Sequence, residues 1–362
     1  MGTIITFLIV GLAFAPLLLH ITQSPAAPVA ATSYHAPISN EVPAGTTLVV
    51  GDPTTQRVLE YTGWDKKLPF KIQWAAISGG PGVTEAFQAK AIDIGSAADI
   101  PPIHAQWVDI PVKIVAFRLR ENPLAHPVYV IGVSPKAKID TLKQLKGKRI
   151  AYSAGQAQGA VVLRTLHALG IKASEVTLVD LPATSDVYTG ALAAGQVDAA
   201  PIGAGLPAKR YLDHYAGDGA QVLRHPPFRD DPGLLYARAE TVQDPAKAAA
   251  IRAYVEFWAR AQQWINANRE EWVDAYYVKD QGVSAADAQV IVRAAGAPEI
   301  PRDWSDIIAL QQQTVNFMAE GIGREPFDAS ILFDRRFETF AADAIAHTSS
   351  ASNTALEAVK GN

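Results

Sequence analysis

Short apolar segments alternate with segments of helical periodicity along most of this chain. The apolar segments have the length of buried strands, and the segments between them repeat their apolar positions at helical spacing. Such alternation indicates an α/β fold in which helices cover a mostly parallel sheet. We predict strands at residues 48–50, 71–75, 92–95, 112–117, 129–134, 149–152, 176–181, 197–202 and 234–237.

The predicted helices fill the gaps between these strands and then dominate the last third of the chain. Gly170 stands where a left-handed helix C-cap is expected, and Gly321 is expected to close the last helix. Ser284, with Asp287 three residues later, has the spacing of a helix start. We predict helices at residues 56–62, 82–89, 102–106, 141–145, 156–169, 187–194, 245–267 and 304–320, and one that begins after Ser284.

One segment of the chain recurs loosely. Residues 85–95 (EAFQAKAIDIG) correspond to residues 189–200 (TGALAAGQVDAA), and Asp93 corresponds to Asp198. In both copies a helical stretch ends in small residues and leads into a short strand that carries one aspartate. Two similar α/β lobes in one chain suggest a ligand cleft between them.

These patterns predict five parts of the chain. The apolar residues 4–19 precede small-residue cleavage sites at Ala26 and Ala31. This pattern predicts that residues 1–31 are a cleaved signal peptide and that the protein is periplasmic. An uncleaved anchor or a buried helix are the alternatives. We predict a linker over 32–45, lobe I from 46–131 and 228–345, lobe II from 132–227, and a flexible tail over 346–362. The chain would cross into lobe II at Pro135 and return through the strand at 234–237, so two crossings form a hinge.

Composition narrows the possible functions. The net charge of −4 gives no basic surface for nucleic acid. The chain has no cysteine, which excludes disulfides, thiolate metal sites and a thiol nucleophile. The eight histidines show no metal-binding spacing, so we expect neither a metal nor a cofactor.

Four loops follow predicted strands at the edge where open α/β sheets bind ligands. Residues 51–55, 78–82, 96–99 and 153–156 are small and polar and offer few catalytic side chains. Free amides at a helix N-terminus bind anions without a charged side chain. Arg118, just after a predicted strand, is the best placed counter-charge for an anion. Arg57 and Arg164 are predicted to be solvated helix positions.

Aromatic residues and one serine offer other interpretations. Five aromatic residues of the C-terminal helices are predicted to serve packing: Tyr254, Phe257, Trp258, Trp264 and Trp272. Ser153 lies in a strand-to-helix turn like that of a hydrolase nucleophile, although Ala151 replaces the first glycine of the motif. Asp198 and either His214 or His225 follow in the required order. Since the repeat already explains this turn, we rank a hydrolase low.

Several motifs together resemble a known family. Residues 92–102 (IDIGSAADIPP), 142–151 (LKQLKGKRIA), 166–170, 179–182 (VDLP) and 191–199 resemble the periplasmic substrate-binding proteins of ABC importers for aliphatic sulfonates, taurine and nitrate. The resemblance spans residues 46–334. It implies a type II periplasmic-binding fold, with two lobes around a central cleft and a helical C-terminal extension, that closes on a solute and delivers it to a permease and its ATPase.

The resemblance also implies binding positions in both lobes. Together with Arg118 they are Thr54, Gly80, Ala98, Asp99, Gly155, Gln156 and Pro182. The segment after Asp198 lacks the aromatic residue that such proteins often carry there, which predicts a wider or less stacked pocket.

We therefore expect a monomeric extracytoplasmic protein that binds a small oxyanion-bearing solute, an organosulfonate, and is not an enzyme. A binding protein for a neutral or heterocyclic solute such as a thiamine precursor is the alternative. An enzyme of the same fold and a sensor without a transporter rank below these.

Overall fold

The computed structural model describes residues 36–77, 79–183 and 185–346. The predicted signal peptide and nearly all of the predicted tail lie outside the described residues. Eleven strands form two sheets: β1 Thr47–Gly51, β2 Lys71–Trp74, β3 Ile94–Ala98, β4 Val112–Arg120, β5 Tyr129–Val133, β6 Arg149–Tyr152, β7 Thr177–Asp180, β8 Ala199–Gly203, β9 Gln221–Leu223, β10 Gly233–Arg238 and β11 Pro298–Glu299.

The first sheet has the order β11-β4-β10-β3-β1-β2, and the second has the order β7-β6-β8-β5-β9. We call the first sheet with its helices lobe I, and the second sheet with its helices lobe II. In lobe I, β1 pairs in parallel with β2 and β3, and β10 lies antiparallel between β3 and β4. The strand predicted at 234–237 therefore does return to the first sheet.

Eleven α-helices surround the sheets in the described part of the chain. They are α1 Pro53–Thr62, α2 Gly80–Gln88, α3 Ile100–Trp107, α4 Ala157–Ala168, α5 Ser185–Ala194, α6 Leu206–Tyr215, α7 Ala239–Gln243, α8 Pro245–Ala267, α9 Arg269–Trp272, α10 Ala285–Ala294 and α11 Ser305–Ile322. A π-helix, Val273–Asp280, follows α9, and the helix predicted at 141–145 is the 3-10 helix Leu142–Leu145.

The internal repeat has a structural counterpart. The order β2-β1-β3 in lobe I matches β7-β6-β8 in lobe II. Asp93 exchanges two hydrogen bonds with Val49: its N–H donates to the Val49 carbonyl, and its carboxylate accepts from the Val49 N–H at 2.9 Å. Asp198 does the same with Arg149, where the N–H to carboxylate distance is 2.8 Å. Each carboxylate thus accepts a hydrogen bond from a backbone N–H of the neighbouring strand that would otherwise have no acceptor.

Two helix ends test the predictions made from glycine. Gly170 follows α4 with a φ of 68°, as predicted for a left-handed cap. The prediction that Gly321 closes the last helix is wrong, since α11 continues to Ile322 and Gly323, with a φ of 66°, forms the cap. Gly321 serves helix packing instead: a Cβ there would lie 2.8 Å from Leu163 of α4. Ser284 caps α10, as predicted, by accepting from the Asp287 N–H.

The crossing into lobe II lies earlier than predicted. All of β5 pairs with β8 and β9, so the chain has entered the second sheet by Tyr129, well before Pro135. The sequence of an apolar strand does not indicate which sheet the strand joins, because helices cover both faces of both sheets. The crossings are residues 121–128, between β4 and β5, and residues 224–232, between β9 and β10.

Candidate functional site

A cavity of about 300 Å³, here called the cleft cavity, lies beside the two crossings. Its wall combines the loop after β1, the end of β3, and parts of β4, β10 and α8. Asp52, Ala98, Arg118, Gly233 and Trp258 represent these contributions, and Tyr129 of β5 also lies in the wall. This is the edge of the sheet where open α/β folds bind ligands, as the loop pattern predicted.

Arg118 lines the cleft cavity, and no carboxylate among the described residues forms an ion pair with it. The sequence placed it after a strand, but β4 runs on to Arg120, so Arg118 belongs to the strand. Its guanidinium lies flat over Gly233: three of its atoms would lie 3.1 Å from a Cβ at that position. Only glycine permits so close an approach without displacement of the arginine.

The Arg118 guanidinium is partly buried and has no hydrogen-bond or ion-pair partner among the described residues. Burial lowers its pKa, nearby Arg120 lowers it further, and Asp52 and Asp231 oppose that effect from a distance. Its donors line the cleft cavity without a protein acceptor in the described part of the chain, so they are available to a ligand there. Its planar donors suit a bidentate contact with an oxyanion.

The acidic residues of the cleft cavity are, in contrast, already engaged. Asp230 accepts from the N–H groups of Val128 and Tyr129 at 2.8–3.0 Å and lies 3.1 Å from His225 Nε2. Asp231 accepts from the Arg120 N–H at 2.6 Å and forms an ion pair with Arg229 at 2.9 Å. These two buried aspartates lie on the second crossing and accept hydrogen bonds from the backbone at the two ends of the first crossing. They therefore connect the two chain segments that form the hinge.

Asp52, the third acid in the wall, caps α1. One carboxylate oxygen accepts from the Thr55 N–H at 3.3 Å, and the other accepts from Tyr254 Oη at 3.0 Å. Burial raises the pKa of Asp52, and the hydrogen bonds from Thr55 and Tyr254 only partly oppose it. The N–H of Thr54, the second residue of this helix, has no acceptor within α1. Thr54 itself lines the cavity.

The predicted binding residues separate into four groups. Thr54, Ala98 and Arg118 line the cleft cavity. Gly80 and Gln156 meet where the lobes touch: a Cβ on Gly80 would lie 2.5 Å from the Gln156 side-chain oxygen.

Gly155 belongs to the same contact, since a Cβ there would lie 2.4 Å from the His104 ring of α3. Gly80, Gly155 and Gln156 therefore lie in the contact between the lobes, outside the lining of the cleft cavity. Pro182 is exposed and also lies outside that lining.

Asp99 is buried next to Ala98 and faces Arg164 of lobe II. Its Oδ2 has no hydrogen-bond partner and lies 3.9 Å from an Arg164 nitrogen. Burial raises the pKa of Asp99, and Arg164 opposes this.

The prediction that Arg164 is solvated is wrong. Its guanidinium donates to the Arg229 carbonyl at 3.0 Å and to Thr314 Oγ1 at 2.6 Å, because α11 and the second crossing cover it. Arg57, in contrast, has 41% of its side chain exposed and pairs with Glu60 and Asp280 at the surface.

A second cavity of about 230 Å³, here called the side cavity, adjoins the first. The two share Thr54, Arg118, Arg120 and Gln262 in their walls.

Aromatic residues reach the cavities from the C-terminal helices and from Tyr129 of β5, and not from the segment after Asp198. Trp258 lines the cleft cavity, and Trp272 lines the side cavity. Both are buried, so the packing prediction holds for them but misses this second role. Asp52 and Gln262 also line the cleft cavity and were not predicted as site residues. A clue for Gln262 was its position one helical turn after Trp258.

The hydrolase alternative is not supported. Asp198 pairs with Arg149 at the start of β6, whereas Ser153 follows the end of that strand. At the rise per residue of a β-strand, Arg149 and Ser153 are about 13 Å apart. His225 contacts Asp230, and His214 contacts the Arg210 carbonyl.

The described residues contain no group of three acidic or histidine side chains that could hold a metal ion. Within the same residues, no helix combines the length and apolar character needed to cross a bilayer.

Comparison with known proteins agrees with this architecture. A family model described as NMT1/THI5 like matches residues 71–206. A protein of Escherichia coli (strain K12) that is named as an aliphatic sulfonates-binding protein is 27% identical over 257 residues, which are 71% of this chain and 77% of that protein. The resemblance seen in the sequence is confirmed.

Two solved structures extend the comparison. The alkanesulfonate-binding protein SsuA from Xanthomonas axonopodis pv. citri, bound to MOPS, superimposes with a TM-score of 0.65 at 22% identity, over 83% of this chain and 99% of that one. The desulfurization enzyme DSZB superimposes with a TM-score of 0.52 at 15% identity, over 83% of this chain and 99% of that one. The chain therefore has the two-lobed fold of periplasmic binding proteins, and that fold also accommodates an enzyme.

Proposed function

We propose that this chain is an extracytoplasmic solute-binding protein that captures an organosulfonate between its two lobes and delivers it to an ABC importer. The observation that carries the proposal is the unpartnered Arg118 guanidinium in the wall of the cleft cavity. The names of the related binding proteins, which refer to aliphatic sulfonates and alkanesulfonate, support the same solute class.

The charge of the expected solute is better inferred from the hydrogen bonds of the charged residues in the wall than from their number. The wall of the cleft cavity holds the cations Arg118 and Arg120 and the acids Asp52, Asp230 and Asp231. All three acids accept hydrogen bonds from the protein, and Arg120 donates to the His126 carbonyl at 2.9 Å. Among these five, Arg118 is the one residue whose side chain has no hydrogen-bond or ion-pair partner in the described structure, so an anion is the complementary ligand.

The hinge explains how binding could be coupled to closure. Asp230 and Asp231 join the two crossings directly beside the cavity, and Val128 of the first crossing and the adjacent Tyr129 of β5 lie in its wall. A solute that contacts Arg118 from lobe I and residues of lobe II stabilises the closed arrangement by its greater affinity for it. Delivery to a permease, export with cleavage near Ala26 or Ala31, and a monomeric state belong to this proposal.

A neutral or heterocyclic solute is the second candidate. The carboxyl group of Asp52 and the ring of Trp258, both in the cavity wall, favour it. An Asp52 that holds its proton could donate a hydrogen bond to a ring nitrogen. This candidate leaves the donors of Arg118 unused, which is why we place it second.

Isothermal titration of the full chain tests the proposal. We expect ethanesulfonate or taurine to bind, and Arg118→Ala to weaken that binding by about a hundredfold, as is typical for the loss of a charge-assisted contact. Arg118→Lys should restore only part of it, because lysine lacks the planar pair of donors. Arg57→Ala, at an exposed arginine, is the control and should bind normally. Binding of thiamine precursors but of no sulfonate, nitrate or sulfate would favour the second candidate.

A further inference from the structure

We propose that the side cavity is a tail subsite, which selects organosulfonates that carry an aromatic ring next to the sulfonate group. This inference rests on the proposed function, because it assumes that Arg118 holds the anionic head. Its own basis is the shape and lining of the side cavity, which the anion proposal does not use.

The side cavity is continuous with the anion position. Arg118 and Thr54 lie in the walls of both cavities, as does Gln262 of α8. An anion bound to Arg118 would therefore have its substituent at the entrance to the side cavity. The Gln262 amide has no hydrogen bond among the described residues, so it remains available at the junction.

One part of the side-cavity wall is apolar and aromatic. It is formed by Trp272, Tyr277, Ile265, Ile291 and Val292. The ring of Trp272 is fixed in orientation: it stacks on Tyr276 with centroids 4.4 Å apart and an angle of 11°, and it meets Tyr277 edge to face. Such a wall binds an aromatic ring by stacking or edge contacts in addition to burial of its surface.

The size of the side cavity fits one ring. An apolar cavity of about 150 Å³ is enough to bind benzene. The side cavity measures about 230 Å³, which leaves room for a ring and a short linker. On the polar side of this cavity, Arg269 donates to the Asn266 carbonyl at 3.3 Å and to its side chain.

The test compares two solutes of equal charge, benzenesulfonate and methanesulfonate, by isothermal titration of the full chain. We expect benzenesulfonate to bind about tenfold or more tightly. Ile291→Phe should fill the side cavity and reduce this ratio toward one, whereas Ile291→Leu, which keeps the volume, should preserve it. Tyr277→Leu removes a ring from the wall and should also reduce the ratio, so the test does not depend on one variant.

The outcomes separate the two proposals. Equal affinity for the two sulfonates, or a ratio unchanged by both Ile291→Phe and Tyr277→Leu, overturns the tail subsite and leaves the sulfonate-binding function standing. Failure of both sulfonates to bind overturns the proposed function, and the tail subsite with it. A ratio above ten that falls in both variants supports the tail subsite.

Discussion

Gly155 of lobe II packs directly against His104 of lobe I. A Cβ at Gly155 would lie 2.4 Å from His104 Cγ, and the φ of Gly155 is 73°, which favours glycine. Both the close approach and the backbone conformation therefore require glycine here. Because the two residues belong to different lobes, this contact reports how closely the lobes can approach.

Gly155→Ala should hold the lobes apart and weaken solute binding by about tenfold or more. Adding His104→Ala should restore binding, since it removes the ring that the new methyl group meets. The double variant should still unfold more easily than the wild type by about 1–2 kcal/mol, because alanine remains strained at positive φ. Titration measures the affinity, and urea unfolding measures the stability. Normal binding by Gly155→Ala alone would show that this contact does not limit closure.

Asp230→Ala should destabilise the hinge. It leaves the N–H groups of Val128 and Tyr129 without their acceptor, at a cost of about 2–4 kcal/mol in the free energy of unfolding. Urea denaturation measures this loss. Asp218→Ala, at an exposed aspartate, provides the comparison and should change stability little. A variant at Asp230 as stable as the Asp218 variant would contradict the role assigned to this carboxylate.

Ionisation of Asp52 should make stability depend on pH. Burial raises its pKa above the ordinary value of 3.8, so the folded state holds the proton more tightly than the unfolded chain. The resulting stability is complete below pH 3.8 and is lost as pH rises through the raised pKa. Asp52→Asn, which cannot ionise, should therefore gain stability relative to the wild type as pH rises from about 4 to 8.

Urea unfolding at several pH values measures that difference. Asn can still accept from the Thr55 N–H and donate to Tyr254 Oη, so the local structure is retained. Asp218→Asn serves as the exposed control and should show no such trend. A constant difference between Asp52→Asn and the wild type across this range would mean that the pKa of Asp52 is not raised.

Gly233→Ala should weaken anion binding with little effect on folding. The added methyl group would lie 3.1 Å from the Arg118 guanidinium and displace it by a few tenths of an ångström. We expect the dissociation constant for a sulfonate to rise by about tenfold. Gly217→Ala introduces a methyl group with no neighbour within 4 Å and should bind as the wild type does. Unchanged binding by Gly233→Ala would show that the position of Arg118 is not critical.

Several features of the fold could be predicted because local sequence determines them. Asp93 and Asp198, which correspond in the repeat, accept the same kind of backbone hydrogen bond in the two lobes. The hydrogen bonds of each aspartate depend mainly on the strand beside it, which the repeat also preserves. Gly170 was identified as a cap because a left-handed φ strongly favours glycine. The small polar loops also identified the edge of the sheet at which the cleft cavity lies.

Other features depend on contacts between distant parts of the chain. Arg164 appeared solvated on its own helix, yet Arg229 and Thr314, 65 and 150 residues later, cover it. The crossing at Tyr129 could not be located, because an apolar strand can join either of two buried sheets.

The candidate site shows the same division. The sequence alone determined the two-lobed α/β pattern, the absence of a thiol and an arginine near the sheet edge. Only the tertiary structure decided that Arg118 has no partner while Asp52, Asp230 and Asp231 do, and that Trp258, Gln262 and Trp272 complete the cavity walls. The physical reason is that β10 inserts between β3 and β4 and brings the following helices over them, so side chains more than 100 residues apart come to share one cavity.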